Sequence, residues 1–167
     1  KDVKALAAAA KSGEVESKML EATLEVNETQ PMIIVEMAKE RLGILKGKRI
    51  AVLGLAFKPD TDDVRESRSE VVVRELIDNG ADVIGHDPEG MENFKELVDI
   101  ETADTLEKVV DKADCVILMT EWKEYIDMNL KTLKNRMSGN VIIDGRRAFD
   151  PEQVEEAGFD YRAIGLG

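Results

Sequence analysis

Four short apolar runs, at residues 49–54, 81–86, 114–119 and 140–144, alternate with amphipathic stretches in the second part of the chain. Each run is rich in Val, Ile or Leu and is too short for a buried helix. This alternation is typical of βαβ units, in which a crossover helix joins two parallel strands. From residue 48 onward, the sequence therefore predicts an α/β fold with a doubly wound parallel sheet.

The stretches between these runs carry helix start and stop signals. Ser67 and Glu70 predict a capping box for a helix at residues 69–78, which Asn79 and Gly80 end. Further helices are predicted near residues 92–97, 105–111 and 130–137. Pro151 opens a last short helix before the segment 159–164.

Residues 3–45 are rich in Ala, Leu, Glu, Lys and Met, and their apolar positions recur at helical spacing. Ser12 and Gly13 predict a break between a short helix and a long one. Pro31 predicts either a kink in the long helix or the start of a new helix. The apolar stripe of such a helix must be covered, and a second copy of the chain is the natural candidate.

Two glycines, Gly43 and Gly47, mark the junction between the parts of the chain. We divide it there into a helical dimerisation segment, residues 1–47, and an α/β domain, residues 48–167. The net charge of −12 argues against nucleic acid and anionic membranes as partners, because phosphate groups are repelled. With one cysteine and no targeting or membrane-spanning stretch, we expect a cytoplasmic protein.

Several cations follow predicted strands, where open parallel sheets bind their ligands. These cations are Lys58, Arg65, Arg146 and Arg147. Gathered at one edge, they suit a phosphate, to which each charged hydrogen bond contributes about 1.5–3 kcal/mol. The alternative is that they only form surface ion pairs with the aspartates at positions 60, 62 and 63.

A dinucleotide fingerprint would place G-x-G-x-x-G after the first strand, but residues 54–58 contain Gly54 alone. A backbone with a single glycine does not approach a pyrophosphate closely. We therefore predict a Rossmann-like domain whose Lys and Arg side chains bind a mononucleotide or a nucleotide sugar in preference to NAD.

Other reactive side chains have simpler interpretations. Cys115, inside an apolar run, is expected to be a core residue. His86 is either a polar strand end or an acid–base group. The acidic loop at residues 60–63 lacks the glycine and the distal glutamate of a calcium loop, so no metal site is predicted.

Two motifs carry a family resemblance. The run GLAFKPDTDDVRES at residues 54–67 closely resembles a signature of the UDP-glucose/GDP-mannose dehydrogenase family, and DGRR at residues 144–147 resembles a second. Lys1-Asp2 is similar to the end of that family's G-G-x-C-F-P-K-D active-site motif. Val26-Asn27-Glu28 is similar to a run in its central helix. The likeness covers essentially the whole chain.

The resemblance implies an NAD-dependent oxidoreductase that converts the C6 alcohol of a UDP-hexose to a carboxylate in two hydride transfers. It implies a catalytic cysteine three residues before Lys1 and an NAD domain further upstream, so this chain alone is expected to be inactive. The form of residues 61–63 favours UDP-glucose as the substrate. A non-catalytic nucleotide-binding or dimerisation module is the alternative.

The resemblance also implies roles for particular residues. Lys58 and Arg146 are expected to contact the UDP-sugar substrate. Arg65 is expected to reach the NAD cofactor at the domain interface, and Asp2 to assist the water or proton steps beside the cysteine. The central helix corresponds to the family's dimer interface, which implies a homodimer.

Overall fold

The computed structural model describes residues 2–166, which form a sheet of six parallel strands flanked by helices. The strands are β1 (Arg49–Leu53), β2 (Asp82–His86), β3 (Glu101–Thr102), β4 (Cys115–Leu118), β5 (Val141–Asp144) and β6 (Asp160–Ala163). Their order is β3-β2-β1-β4-β5-β6, so the chain changes direction across the sheet between β1 and β4. This is the doubly wound arrangement, and it confirms the predicted α/β fold class.

Eight helices lie within the described range. They are α1 (Asp2–Ser12), α2 (Lys18–Leu42), α3 (Arg68–Asp78), α4 (Met91–Lys95), α5 (Leu106–Val109), α6 (Lys123–Ile126), α7 (Leu130–Arg136) and α8 (Pro151–Glu156). The predicted break after Ser12 is confirmed. Strand β3 and helix α6 were not predicted. None of these helices is long and apolar enough to cross a membrane.

Helix α2 continues without interruption through Pro31, so the prediction of a new helix at this residue is wrong. A proline inside a helix removes one backbone hydrogen bond, at a cost of about 3 kcal/mol. The following turns offset this cost by burial, since Ile34, Val35 and Ala38 are almost completely inaccessible. Packing against the sheet therefore keeps the helix continuous.

Apolar side chains fill both faces of the sheet. On one face, α2, α3 and α4 cover Ile50 and Val52 of β1. On the other face, α5 to α8 cover Ala51 and Leu53, because successive side chains of a strand point to opposite faces. The second half of α2 thus belongs to the core of the α/β part, although the domain division at residue 47 stays a prediction.

Ser67 caps α3, and its Oγ accepts the backbone N–H of Ser69 at 3.3 Å. The reciprocal hydrogen bond of the capping box, from the N–H of Ser67 to the carboxylate of Glu70, does not form, so this part of the prediction is wrong. The N–H of Ser67 donates to the carbonyl of Val64, and the carboxylate of Glu70 instead accepts a hydrogen bond from Arg74. The cap places the start of α3 directly after the loop that follows β1.

Candidate functional site

The loop after β1 starts at Gly54, whose φ is +94°. A Cβ atom at this position would lie 2.4 Å from the Cβ of Thr120, so only glycine fits. The hydroxyl of Thr120 donates to the carbonyl of Ala56 at 2.7 Å, and Ser69 donates to the carbonyl of Gly54 at 2.8 Å. The loop is therefore held from both sides, by α3 and by the residues after β4.

Asp87, the first residue after β2, is fully buried. Its Oδ2 accepts the backbone N–H groups of Leu55 and Ala56, at 2.8 and 2.9 Å, and the indole N–H of Trp122 at 3.1 Å. Its Oδ1 accepts the N–H groups of Glu89 and Gly90. The N–H groups of the first turn, which in dinucleotide-binding sheets face the pyrophosphate, are thus already bound, and this turn does not fit NAD.

A second buried carboxylate, Asp144, shapes the loop after β5. Its Oδ1 accepts the N–H of Arg146 at 2.8 Å, and its Oδ2 accepts the N–H groups of Ala148 and Phe149 and the hydroxyl of Tyr161. Burial and the bond to Asp144 raise the pKa of Tyr161. These bonds turn the chain sharply, so that Arg146 lies at the carboxyl end of β5.

Arg146 forms a two-point ion pair with Glu121, which follows β4. Its Nε lies 2.5 Å from Oε2 of Glu121 and its Nη2 lies 2.8 Å from Oε1. The guanidinium holds the pKa of Glu121 below its usual range. Such a fork fixes the guanidinium plane and leaves Nη1 unused by the pair.

A cavity of about 260 Å³ lies between the helical segment and the sheet, and Arg146 lines it. Lys4 of α1 and Asn27 of α2 line the same cavity from the other side, and Phe57 lines it from the loop after β1. Residues that are distant in sequence, from two helices and the loops after β1 and β5, are therefore brought together at this edge of the sheet.

Lys58 lies on the exposed loop directly after Phe57. Within residues 2–166 its ammonium group makes no hydrogen bond and no ion pair, so it does not pair with the aspartates at positions 60, 62 and 63. Phe57, of which 54% is exposed, lines the cavity of Arg146, whereas Lys58 does not. Lys58 is thus a solvated cation one residue away from the cavity.

The other two predicted site residues are exposed. Arg65 pairs with Asp63 through two hydrogen bonds, at 2.9 and 2.8 Å, and 80% of its side chain is exposed. Arg65 therefore forms the kind of surface ion pair that the sequence predicts as the alternative to phosphate binding. Asp2 is the first residue of α1, two residues before Lys4 of the cavity. Lys1 lies outside the described residues.

Arg147 is exposed and adopts a left-handed backbone conformation, with φ of 53°.

Cys115 is completely buried in β4, which confirms the core prediction, and burial raises the pKa of its thiol. His86 is buried beside Tyr125, at 2.8 Å from its hydroxyl, and burial lowers the pKa of the imidazole. Among residues 2–166, no three His, Cys, Asp or Glu side chains are grouped to hold a metal ion.

The sheet is doubly wound, and the carboxylate of Asp87 fills its first turn. Cations lie on loops at the carboxyl edge. Together these features define a nucleotide-binding domain of the Rossmann type without a glycine-rich phosphate cradle. The model of the UDP-glucose/GDP-mannose dehydrogenase family, UDP binding domain, matches residues 51–151. The chain belongs to this family.

Similar proteins agree with this assignment. The chain is 39% identical to UDP-glucose 6-dehydrogenase AglM of Haloferax volcanii and 35% identical to UDP-glucose 6-dehydrogenase TuaD of Bacillus subtilis. The two matches cover 98% and 99% of this chain. They cover only 37% and 36% of the two relatives. The UDP-glucose dehydrogenase structure from Pyrobaculum islandicum superimposes with a TM-score of 0.83 at 33% identity, over 99% of this chain and 36% of that one.

Proposed function

We propose that this chain supplies nucleotide-sugar binding and dimerisation to an NAD-dependent dehydrogenase that oxidises the C6 alcohol of a UDP-hexose, above all UDP-glucose, to the uronic acid. The family membership and the names of the similar proteins support this proposal. The chain spans less than two fifths of the length of these relatives. We propose that the NAD-binding domain and the catalytic cysteine belong to the remaining part.

In this proposal, Lys58 and Arg146 bind the phosphates of the nucleotide sugar. The observation that carries it is the position of Arg146, which the Asp144 turn holds at the wall of a cavity on the ligand edge. Lys58 extends from the neighbouring loop with no competing anion within the described residues. Each charged hydrogen bond to a phosphate contributes about 1.5–3 kcal/mol, which is enough to hold a diphosphate in an otherwise acidic protein.

We propose peripheral roles for two further residues. Arg65 exchanges its exposed partner Asp63 for a phosphate of NAD that is held by another domain, because exposed ion pairs are worth at most about 1 kcal/mol. Asp2, at the start of α1 and close to the cavity, assists the water or proton steps of the reaction. The exposed apolar side chains of α1 and α2 support a homodimer through the helical segment.

Calorimetry with UDP at low salt tests the phosphate-binding role. We expect UDP to bind the parent chain, and Lys58→Ala to weaken binding by about tenfold, which corresponds to the loss of one charged hydrogen bond. Lys48→Ala is the matched control, because Lys48 precedes β1 at the opposite edge of the sheet and pairs with Asp114. It should leave the affinity unchanged.

Equal affinities of the parent chain and Lys58→Ala would contradict the role of Lys58. Strong binding of adenine dinucleotides without any binding of uridine nucleotides would contradict the proposed function as a whole. That second result would instead favour a non-catalytic module that binds a different nucleotide.

A further inference from the structure

The most densely hydrogen-bonded carboxylate at the ligand edge is Asp87, which no part of the proposed function uses. It accepts N–H groups from three separate loops, those that follow β1, β2 and β4. A carboxylate in this environment is an internal anion surrounded by aligned donors. The same type of donor cluster at a βα turn binds phosphate oxygens in many other proteins.

The space around Asp87 leaves no room for an external anion. Gly90 packs so closely that a Cβ atom there would lie 3.2 Å from Oδ1 of Asp87 and 3.2 Å from the Cβ of Ala56. Ala56 stands where a dinucleotide fingerprint has its second glycine, the residue that lets a pyrophosphate approach the backbone. Side chains of the protein itself therefore fill the phosphate cradle of this turn.

The bonds of Asp87 also connect the two loops that carry the proposed phosphate ligands. On one side they fix the N–H groups of Leu55 and Ala56, which lie three and two residues before Lys58. On the other side the bond to Trp122 fixes the residue that follows Glu121, the ion-pair partner of Arg146. A displacement of Asp87 would thus change the positions of both proposed phosphate ligands, Lys58 and Arg146.

We propose that Asp87 is a positioning residue that takes the place of a bound pyrophosphate and holds the Lys58 loop and the Glu121–Arg146 pair in the geometry that a nucleotide sugar requires. This inference rests on the proposed function. The position of Asp87 also explains which class of ligand this turn excludes. Phosphates bind only through side chains of the outer loops, so a dinucleotide does not bind this turn as it does in other doubly wound sheets.

The test combines UDP calorimetry with the fluorescence of Trp122, the only tryptophan of the chain. Asp87→Ala frees the indole N–H and the N–H groups of the β1 loop. We expect its UDP affinity to fall at least about tenfold, because both loops lose their shared acceptor. The emission of Trp122 should move to longer wavelength as the indole gains access to water.

Chemical rescue separates positioning from general stability. Sodium formate, which returns a carboxylate to the vacated space, should restore both the emission and at least half of the lost affinity, expressed as log Kd. Sodium chloride at equal ionic strength should restore neither. Circular dichroism at the temperature of each titration verifies that the variant is folded.

Asp114→Ala is the matched control, because Asp114 accepts the N–H of Arg49 at the amino edge of the sheet, at 2.9 Å. It should lower stability and leave UDP affinity unchanged. Trp122→Phe removes only one of the bonds to Asp87, so it keeps the inference testable if Asp87→Ala does not fold. We expect Trp122→Phe to weaken UDP binding by about threefold to tenfold.

Parent-like UDP affinity in folded Asp87→Ala, or in Trp122→Phe, would overturn the positioning role alone. The same conclusion would follow if formate restored the emission of Trp122 without restoring the UDP affinity. A parent chain that does not bind UDP at all would overturn the proposed function and this inference together, so the two failures are distinguishable.

Discussion

Asp87 and Asp144 are buried carboxylates at the carboxyl ends of β2 and β5, two strands that β1 and β4 separate, and each is satisfied almost entirely by N–H donors. Neither was identified as a site residue from the sequence. A carboxylate that accepts backbone N–H groups leaves no sequence pattern, since every residue except proline supplies the same donor. Their position directly at the carboxyl ends of apolar runs is the only signal that could have identified them.

Lys58, Arg146 and Arg65 were predicted from the position of their loops and from the family motifs. The structure places Arg146 on a cavity wall and leaves Lys58 without a partner among the described residues. What the sequence could not reveal is that Glu121 is the partner of Arg146, because that contact depends on how closely the ends of β4 and β5 approach. Their roles in binding stay predictions.

His86 provides a prediction for the pH dependence of stability. Burial lowers the pKa of its imidazole below the ordinary value of 6.5, although Glu124, Asp87, Asp104 and Glu107 act in the opposite direction. As the pH falls below about 6.5, the unfolded chain therefore binds a proton that the folded chain does not. The free energy of unfolding should decrease from this pH down to the folded-state pKa.

The variant His86→Gln isolates this contribution. Urea unfolding at about pH 7 and about pH 5 should show a stability difference between parent and variant that shrinks at the lower pH, because glutamine does not titrate. A difference that stays constant between the two pH values would show that His86 is not the group responsible.

At the scale of elements, the four apolar runs were predicted correctly as strands, and two very short polar elements, β3 and α6, were missed. β3 consists only of Glu101 and Thr102, and it pairs with Ile84 and Gly85 of β2 through backbone hydrogen bonds. α6 contains four residues. Both elements are too short and too polar for a hydrophobic period, so tertiary contacts decide their structure.

In helix α2, packing overrides a local signal of the sequence. Pro31 predicted either a kink or the start of a new helix, and the second alternative is wrong because α2 is continuous and the following turn is buried on the sheet. The break at Ser12 was predicted correctly, since no core residue of α1 bridges it and all residues of α1 are at least partly exposed. At Pro31 burial therefore outweighs the local signal, whereas at Ser12 no burial opposes it.

At the scale of the whole molecule, α2 carries an exposed apolar stripe. Met19, Val26 and Ile33 are spaced seven residues apart and are 85%, 52% and 40% exposed. Side chains with this spacing lie on one face of a helix. A stripe of this kind, in an otherwise highly charged segment, is the surface that we propose to be covered by a second copy.

We expect analytical ultracentrifugation to find a dimer of the parent chain at micromolar concentration, and Val26→Glu to shift it to the monomer. The introduced carboxylate would be buried without a partner in the dimer, which costs several kcal/mol. Ile126→Glu, at an exposed apolar residue of α6, is the control and should remain dimeric. A monomeric parent chain, or a dimer that tolerates Val26→Glu, would contradict this interface.

The central claim is that cations on the loops after β1 and β5 bind a sugar nucleotide at the carboxyl edge of the sheet. Nuclear magnetic resonance of the labelled chain during a UDP titration tests it most directly, because every backbone amide reports on its own surroundings. We predict that the largest shift changes fall at residues 56–58, at residue 60 and at residues 144–147, with none at Lys48 or Asp114 on the opposite edge. Changes confined to that opposite edge, or no changes at millimolar UDP, would contradict the claim.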